Sequence, residues 1–462
     1  MLYIAFLSIL RSSGILIDSP ASRPRSSTRG PLDASDDPLS SPGSTNSPTT
    51  IQQKFTGGND FSGSSLQELD PLAPDDLPET LGKDLSFLLR HNIYHQLSHI
   101  DIPPPLRSRF LVLDPGESLS ANLGILERLL VEGRFLIAAH FAGSILTSSL
   151  IATTDIKIIF SLFYTRLACL ELSGHTVLAA QESKALEDLN STFYYIDSSL
   201  DPSHQDGHSG GVNEAEHDPF PRHIVPWPLR VLAVRLQSIG FGDPRRSIGG
   251  LYEIGLEARR QVMRSDTTEI ERGIWKERLA DLGIRSVNAL VEMGDLDAAR
   301  RSLEGLQAPE TQEETAKLRK ALLFLRIGDI DPAQKAFDGP QNSEKAALLK
   351  PLISMSDGHY QNAIDEWRAL LEDNQRRDGA LVAQNLAVCL LYTGQLDEAR
   401  QLLESQVAAN HSFTSLIFNL STVYELCSDN AGQLKGQLAA TISKQHLSGQ
   451  TNLDRSNADF KL

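Results

Sequence analysis

Cysteine is scarce in this chain of 462 residues, and the three present, Cys169, Cys389 and Cys427, are odd in number and far apart. That excludes a disulfide framework and fits buried thiols in a reducing compartment. Aromatic residues make up only 6% of the chain. Basic residues are outnumbered, 43 Lys and Arg against 59 Asp and Glu, for a formal net charge of -16. Such a charge repels phosphate backbones and anionic lipid heads, and no Lys/Arg cluster with interleaved aromatics offsets it, so nucleic acid is not an expected partner. Long hydrophobic runs are also missing. Leu2 to Leu10 has the length of a secretory h-region, but no positive residue precedes it, Arg11 interrupts it, and it is too short to span a bilayer. It reads as an unpacked N-terminus. The sequence contains no Walker phosphate loop, no G-x-G-x-x-G after a strand, no H-E-x-x-H and no C-x-x-C.

What is present is organised in blocks. Residues 1–78 are mostly a leader rich in Ser, Pro and Gly, with too few large apolar residues to offset the entropy of ordering it, so it is expected to be disordered. Ser19-Pro20, Ser41-Pro42 and Ser47-Pro48 in it are candidate sites for proline-directed kinases. Residues 79–200 read as degenerate helical repeats. Their first helix is expected around LGKDLSFLLRHNIYHQL, with Leu81, Leu85, Leu88 and Leu89 at helical spacing before Pro103 to Pro105. Residues 201–222 form a flexible acidic, His-bearing loop without apolar periodicity. Helical periodicity resumes over 223–444, and 445–462 reads as a frayed tail.

Within 223–444 one phrase recurs four times: Gly, an apolar residue two positions on, Ala five on, and a bulky apolar residue nine on. Gly294 leads Leu296, Ala299 and Leu303; Gly328 leads Ile330, Ala333 and Phe337; Gly358 leads Tyr360, Ala363 and Trp367; Gly394 leads Leu396, Ala399 and Leu403. The glycine spacings are 34, 30 and 36. Each term has a mechanical reason. Gly can end a helix in the left-handed conformation that a Cβ penalises. The apolar residue after it tucks against the preceding helix, Ala sits where two helices cross most closely, and the bulky residue one turn later packs on the next pair. With ordinary residue usage roughly one Gly in a hundred would satisfy all three offsets, so four in succession are not chance. A period near 34 residues predicts an all-α, tetratricopeptide-repeat α-solenoid behind the disordered leader. Asn385-Leu386 recurs 34 residues later as Asn419-Leu420 and extends the array. Upstream, Gly133 with Ala138 and Gly174 with Ala179 are weaker matches.

Sequences that could carry chemistry have plainer readings. Gly207-His208-Ser209-Gly210-Gly211 matches the nucleophile-elbow pattern, yet lies in the 201–222 loop without a strand before it or a helix after it. His91, His95 and His99 fall i, i+4, i+8 on the expected first helix, but no Cys or carboxylate stands at a defined spacing to complete a metal site. His204, His208 and His217 share the loop and define no site. No catalytic, cofactor-binding or metal residues are assigned, and the chain is expected to be a binding protein and not an enzyme.

Three phrases, HIVPWPLRVLAVRLQ at His223 to Gln237, Trp275-Lys276-Glu277-Arg278, and FNLSTVYELCSD at Phe418 to Asp429, resemble the subunit 12 family of the TRAPP (trafficking protein particle) vesicle-tethering complex. The layout is similar as well, with a leader holding Asp37-Pro38-Leu39, a helical half, a variable loop and C-terminal repeats. The resemblance extends over about Asp70 to Ser443. It implies a non-catalytic accessory subunit, cytoplasmic and peripheral to endoplasmic reticulum and Golgi membranes, binding other TRAPP subunits, above all the large peripheral ones. Its role would be in transport between those compartments and, in some forms, in autophagy. The alternative is a stand-alone repeat adaptor for a short peptide such as a chaperone tail, although the first helices near Asn288 to Met293 and Val382 to Tyr392 offer little basic character to clamp a carboxylate.

Overall fold

A computed structural model describes residues 69–72, 83–95, 117–131, 134–196, 222–265, 267–306, 313–337, 346–372 and 378–445. Most of the leader, the loop containing Ser209, His204, His208 and His217, the tail, Gly133 and His99 lie outside the described residues. Among those described, helix follows helix with no β-strand; one isolated bridge joins Tyr195 to His223. The α-helices are α1 Leu119–Val131, α2 Phe135–Leu146, α3 Ile156–Leu172, α4 Thr176–Ser183, α5 Trp227–Phe241, α6 Pro244–Met263, α7 Glu269–Glu292 and α8 Leu296–Gly305. They continue as α9 Glu313–Ile327, α10 Ile330–Phe337, α11 Leu349–Ser356, α12 Tyr360–Leu371, α13 Gly379–Tyr392, α14 Leu396–Ala408, α15 Thr414–Cys427 and α16 Ala431–Lys444.

Each helix packs on its successor, and α3 also reaches α5, α9 reaches α11 and α13 reaches α15. A chain whose contacts run to the next and next-but-one helix is an α-solenoid, and no helix among the described residues is long and apolar enough to cross a membrane. The core is a ladder of three clusters. One runs from Leu85 to Leu236, a second holds Val287 to Ile442, and a small one of Trp227, Val231, Leu251, Ile254, Ala258, Leu282 and Ala289 lies between them. Helix α5 gives Leu229, Leu232 and Leu236 to the first cluster and Trp227 and Val231 to the middle one. Helix α7 gives Leu282 and Ala289 to the middle cluster and Val287 and Leu290 to the last. A helix apolar on opposite faces is buried on both, and here that joins the cores into one stack.

Buried charge marks the first half. Arg166 on α3 pairs with Glu182 on α4 at 2.6 Å, donates to the Ala139 and His95 carbonyls, and lies 5.0 Å from the centre of the Tyr94 ring. Arg235 on α5 likewise pairs with Glu171 on α3, both side chains almost wholly buried. Breaking one partner of such a pair leaves a charge stranded in a medium that solvates it poorly.

Over the described residues 83–95, the α-helix expected before Pro103 is not formed. Residues 83–95 make two 3-10 turns, Ser86–Leu89 and His91–Ile93, separated by Arg90 in an extended conformation. Local spacing loses to tertiary partners here. Leu85 and Leu88 are fully buried, the Leu85 N–H donates to Thr153 across the fold at 3.0 Å, and Lys83 Nζ donates to the Tyr195 carbonyl at 2.6 Å. Consequently His91 and His95 do not share a helical face; His91 is exposed, and His95 donates its backbone N–H to Glu182 at 2.9 Å.

His223 closes the base of the 201–222 loop. Its Nε2 lies 3.0 Å from the Leu189 carbonyl, its Nδ1 accepts from the Val225 N–H at 2.9 Å, and the ring stacks on Tyr194. This arrangement needs the neutral ring with Nε2 protonated. Burial, reinforced by Arg230 and opposed by Glu257, pushes its pKa down from 6.5 to about 3. Between those values the unfolded chain takes up a proton that the folded chain refuses, so stability falls as pH falls through the window. Urea unfolding midpoints should therefore drop between pH 6.5 and about pH 5, where most carboxylates are still ionised. His223→Gln should flatten that slope; an unchanged slope would assign the pH dependence elsewhere.

Candidate interaction surface

The repeat positions are built from one backbone corner. Gly294, Gly328, Gly358 and Gly394 have φ of 77, 96, 80 and 81°, all in the left-handed region. At each, the glycine N–H and that of the following residue turn back onto carbonyls of the helix just ended. Gly358 donates to Met355 at 3.1 Å and His359 to Ser354 at 2.9 Å; Gly394 donates to Leu391 at 3.2 Å and Gln395 to Leu390 at 2.8 Å. The residue after the glycine then opens the return helix, its carbonyl accepting from the alanine one turn on. Ala299 donates to Asp295, Ala333 to Asp329, Ala363 to His359 and Ala399 to Gln395. One residue thus caps two helices. A Cβ at any of these glycines would meet nothing within 4 Å, so the requirement is conformational and not steric.

Ala299, Ala333, Ala363 and Ala399 are completely buried, as are Leu303 and Trp367; Leu403 is nearly so. The Trp367 indole N–H points at the Met355 sulfur at 3.2 Å, tying α12 to α11. The second position of the phrase behaves differently from the expectation that it tucks under the preceding helix. Leu296 is 43% exposed, and Tyr360 stacks at 4.6 Å on Tyr392 at the end of α13, the following helix. The same corner occurs where the phrase is weak or absent. Gly174 and Gly242 have φ of 78 and 65°, and Asn410 takes φ 67° at the end of α14. Asn410 donates to Val407 at 3.0 Å and His411 to Gln406 at 3.1 Å. Asn is the residue besides Gly whose short polar side chain best tolerates this conformation, and an Asn after the apolar face of α14 was the available signal.

Among the described residues, helix α6 turns an apolar and basic face outward. It packs on α5 and α7 through Leu251, Ile254 and Ala258 and turns Tyr252, Leu256 and Met263 outward, at 53, 50 and 85% exposure. Positions 252, 256, 259 and 263 share one side of a helix. Arg245, Arg246, Arg259 and Arg260 are exposed around them, and Arg246 covers the exposed Phe241 ring at 4.1 Å. Of the two glutamates of α6, Glu257 is drawn inward by a bidentate pair with Arg230. Burial raises its carboxyl pKa, but the hydrogen bonds and charge of Arg230 outweigh that and leave it lowered. In a chain of net charge -16, α6 with four arginines and two glutamates is a local positive, partly apolar face. Cys169 and Cys389 offer no comparable chemistry, because burial pushes both thiols up to about 12.

No family model matches the chain. It is similar to trafficking protein particle complex subunit 12 of Homo sapiens, 26% identical over 249 residues, and to that of Mus musculus, 23% identical over 255 residues. The matched region is 48% of this chain in each case, and it spans only 34% and 31% of those relatives' own length.

The corner geometry makes a graded prediction for equilibrium urea unfolding. Gly358→Ala should cost about 1–2 kcal/mol, wholly from the left-handed backbone, while Gly358→Asn should cost less, as Asn410 already occupies such a corner. Ala363→Leu, which places a larger side chain in a filled crossing, should cost about 1–3 kcal/mol. Equal losses for Ala and Asn at position 358 would count against the conformational account.

Proposed function

We propose that this chain is a non-catalytic scaffold subunit of a TRAPP-like vesicle-tethering assembly, working by protein–protein binding in transport between endoplasmic reticulum and Golgi. Its place is cytoplasmic, peripheral to those membranes through its partners. The similarity to trafficking protein particle complex subunit 12 carries this reading, and the α-solenoid supports it by spending its buried residues on helix packing. We assign residues 223–444 to a tetratricopeptide array, on the strength of the recurring corners at Gly294, Gly328, Gly358 and Gly394. Residues 79–200 are then degenerate copies, as the Gly174 corner and the buried Ala179 support. Members of such an assembly contact one another through exposed faces. The α6 face, with Tyr252, Leu256 and Met263 among arginines, suits a partner segment that is apolar and acidic, in keeping with charge complementarity at interfaces.

Tagged full-length protein purified from its own cells should bring down TRAPP subunits, and purification as a lone monomer would count heavily against the reading. Leu256→Asp combined with Tyr252→Ser should reduce that recovery by about tenfold with an unchanged thermal unfolding profile, since both side chains already face solvent. Undiminished recovery would move the contact to another face.

A further inference from the structure

Leu69 to Leu72, the last described piece of the leader, is seated on the middle of the solenoid. One Asp70 carboxylate oxygen accepts from the Leu72 N–H at 2.9 Å and pairs with Arg278 of α7; the other accepts from the Trp227 N–H at 2.9 Å, at the first turn of α5. Asp70 and Arg278 are only 7% and 10% exposed, although 208 residues separate them. The Arg278 guanidinium lies against two indoles, 5.0 Å from the centre of Trp227 and 4.5 Å from that of Trp275. The indoles in turn meet edge to face at 5.4 Å. Leu69 packs against the first core cluster beside this pair. The features are those of a short-peptide receptor: a desolvated cation and a helix-start N–H that both meet one carboxylate, with an apolar surface for the neighbouring Leu69.

The same tripeptide occurs twice in the leader, as Asp70-Pro71-Leu72 and as Asp37-Pro38-Leu39, the second outside the described residues. Pro fixes the backbone after the aspartate in each, which lowers the entropy lost on docking. The residues before them differ: Leu69 supplies an apolar anchor, whereas Asp36 supplies none. Thirty residues of chain from Leu39 to Leu69 can stretch to about 100 Å, ample for the upstream copy to reach the same clamp.

We propose that Arg278, Trp227 and Trp275 form an exchangeable receptor for Asp-Pro-Leu peptides, plugged in cis by Asp70 to Leu72, for which Asp37-Pro38-Leu39 is the competing ligand. The upstream copy is the weaker one for want of Leu69. Seating it frees the segment around Asp70 from the solenoid, so the leader has two docked registers. A plug of this kind raises the concentration of peptide that any rival must reach before it binds.

The test titrates a fluorescein-labelled peptide of residues 66–74 into full-length protein and reads anisotropy. Asp70→Ala should bind it about tenfold more tightly than the parent chain, and Asp37→Ala added to it should tighten binding further. Adding Arg278→Ala should abolish binding. Equal binding with and without Arg278, or none to the Asp37/Asp70 double variant, overturns the receptor; no difference between the Asp70 variant and the double variant overturns the exchange. Should Asp70→Ala lose its helical circular dichroism, a protease site placed at residues 75–78 serves instead. The cleaved chain should hold its N-terminal piece through gel filtration and release it to excess 66–74 peptide but not to the same peptide carrying Asn for Asp70. Release that ignores that change overturns the proposal.

Discussion

The helix hairpins of the C-terminal half depend on a backbone corner that a side chain discourages. A helix must stop, the chain must reverse, and the next helix must begin within about two residues, or the pair cannot lie close enough to bury its apolar sides. The left-handed residue does this by giving its own N–H and the next to the helix just finished, while the following carbonyl starts the new one. The four glycine corners lie at the surface, where water reaches the backbone groups that the two helices leave unpaired. Alanine one turn later completes the constraint, since its methyl group sets the approach distance. The close approach of the two helices of each hairpin follows from these two positions.

The amino half obeys the same corner at Gly174 but is held by different forces. Arg166 with Glu182 and Arg235 with Glu171 place ion pairs inside it, an arrangement whose desolvation cost makes it a weak source of stability but one that is costly to break from one side. Close packing around the guanidinium is extreme. A Cβ at Gly143 would stand 2.5 Å from Arg166 Nη1, so a small residue on α2 is needed for α3 to present its arginine to α4 at all. Helices α5 and α7 then carry order across the middle by being apolar on two sides.

The repeat was legible because its cause is local. A Gly needed for one φ value and an Ala needed at one crossing leave a trace at fixed offsets, whatever the rest of the chain does. What could not be read was settled by partners distant in sequence. Residues 83–95 carry leucines at helical spacing, yet Thr153, Tyr195 and Glu182 take up their polar groups and hold them as short turns. Tyr360 and Leu296 share a position in the phrase but not an environment, because what lies beside them depends on the next repeat. The meeting of Asp70 with Arg278, 208 residues on, had no local signature at all. The α6 face was hidden for another reason: exposed Tyr252 and Leu256 look in sequence like residues packed on a further repeat.

Helix contacts that run chiefly to the next and next-but-one helix also decide how the molecule bears load. A globule shares a pull among strands far apart in sequence; here tension applied at one end passes from hairpin to hairpin through each corner in turn. The molecule is therefore a spring whose coils are the helix pairs. Small changes of angle summed along the coils move the two ends much further than any single pair moves.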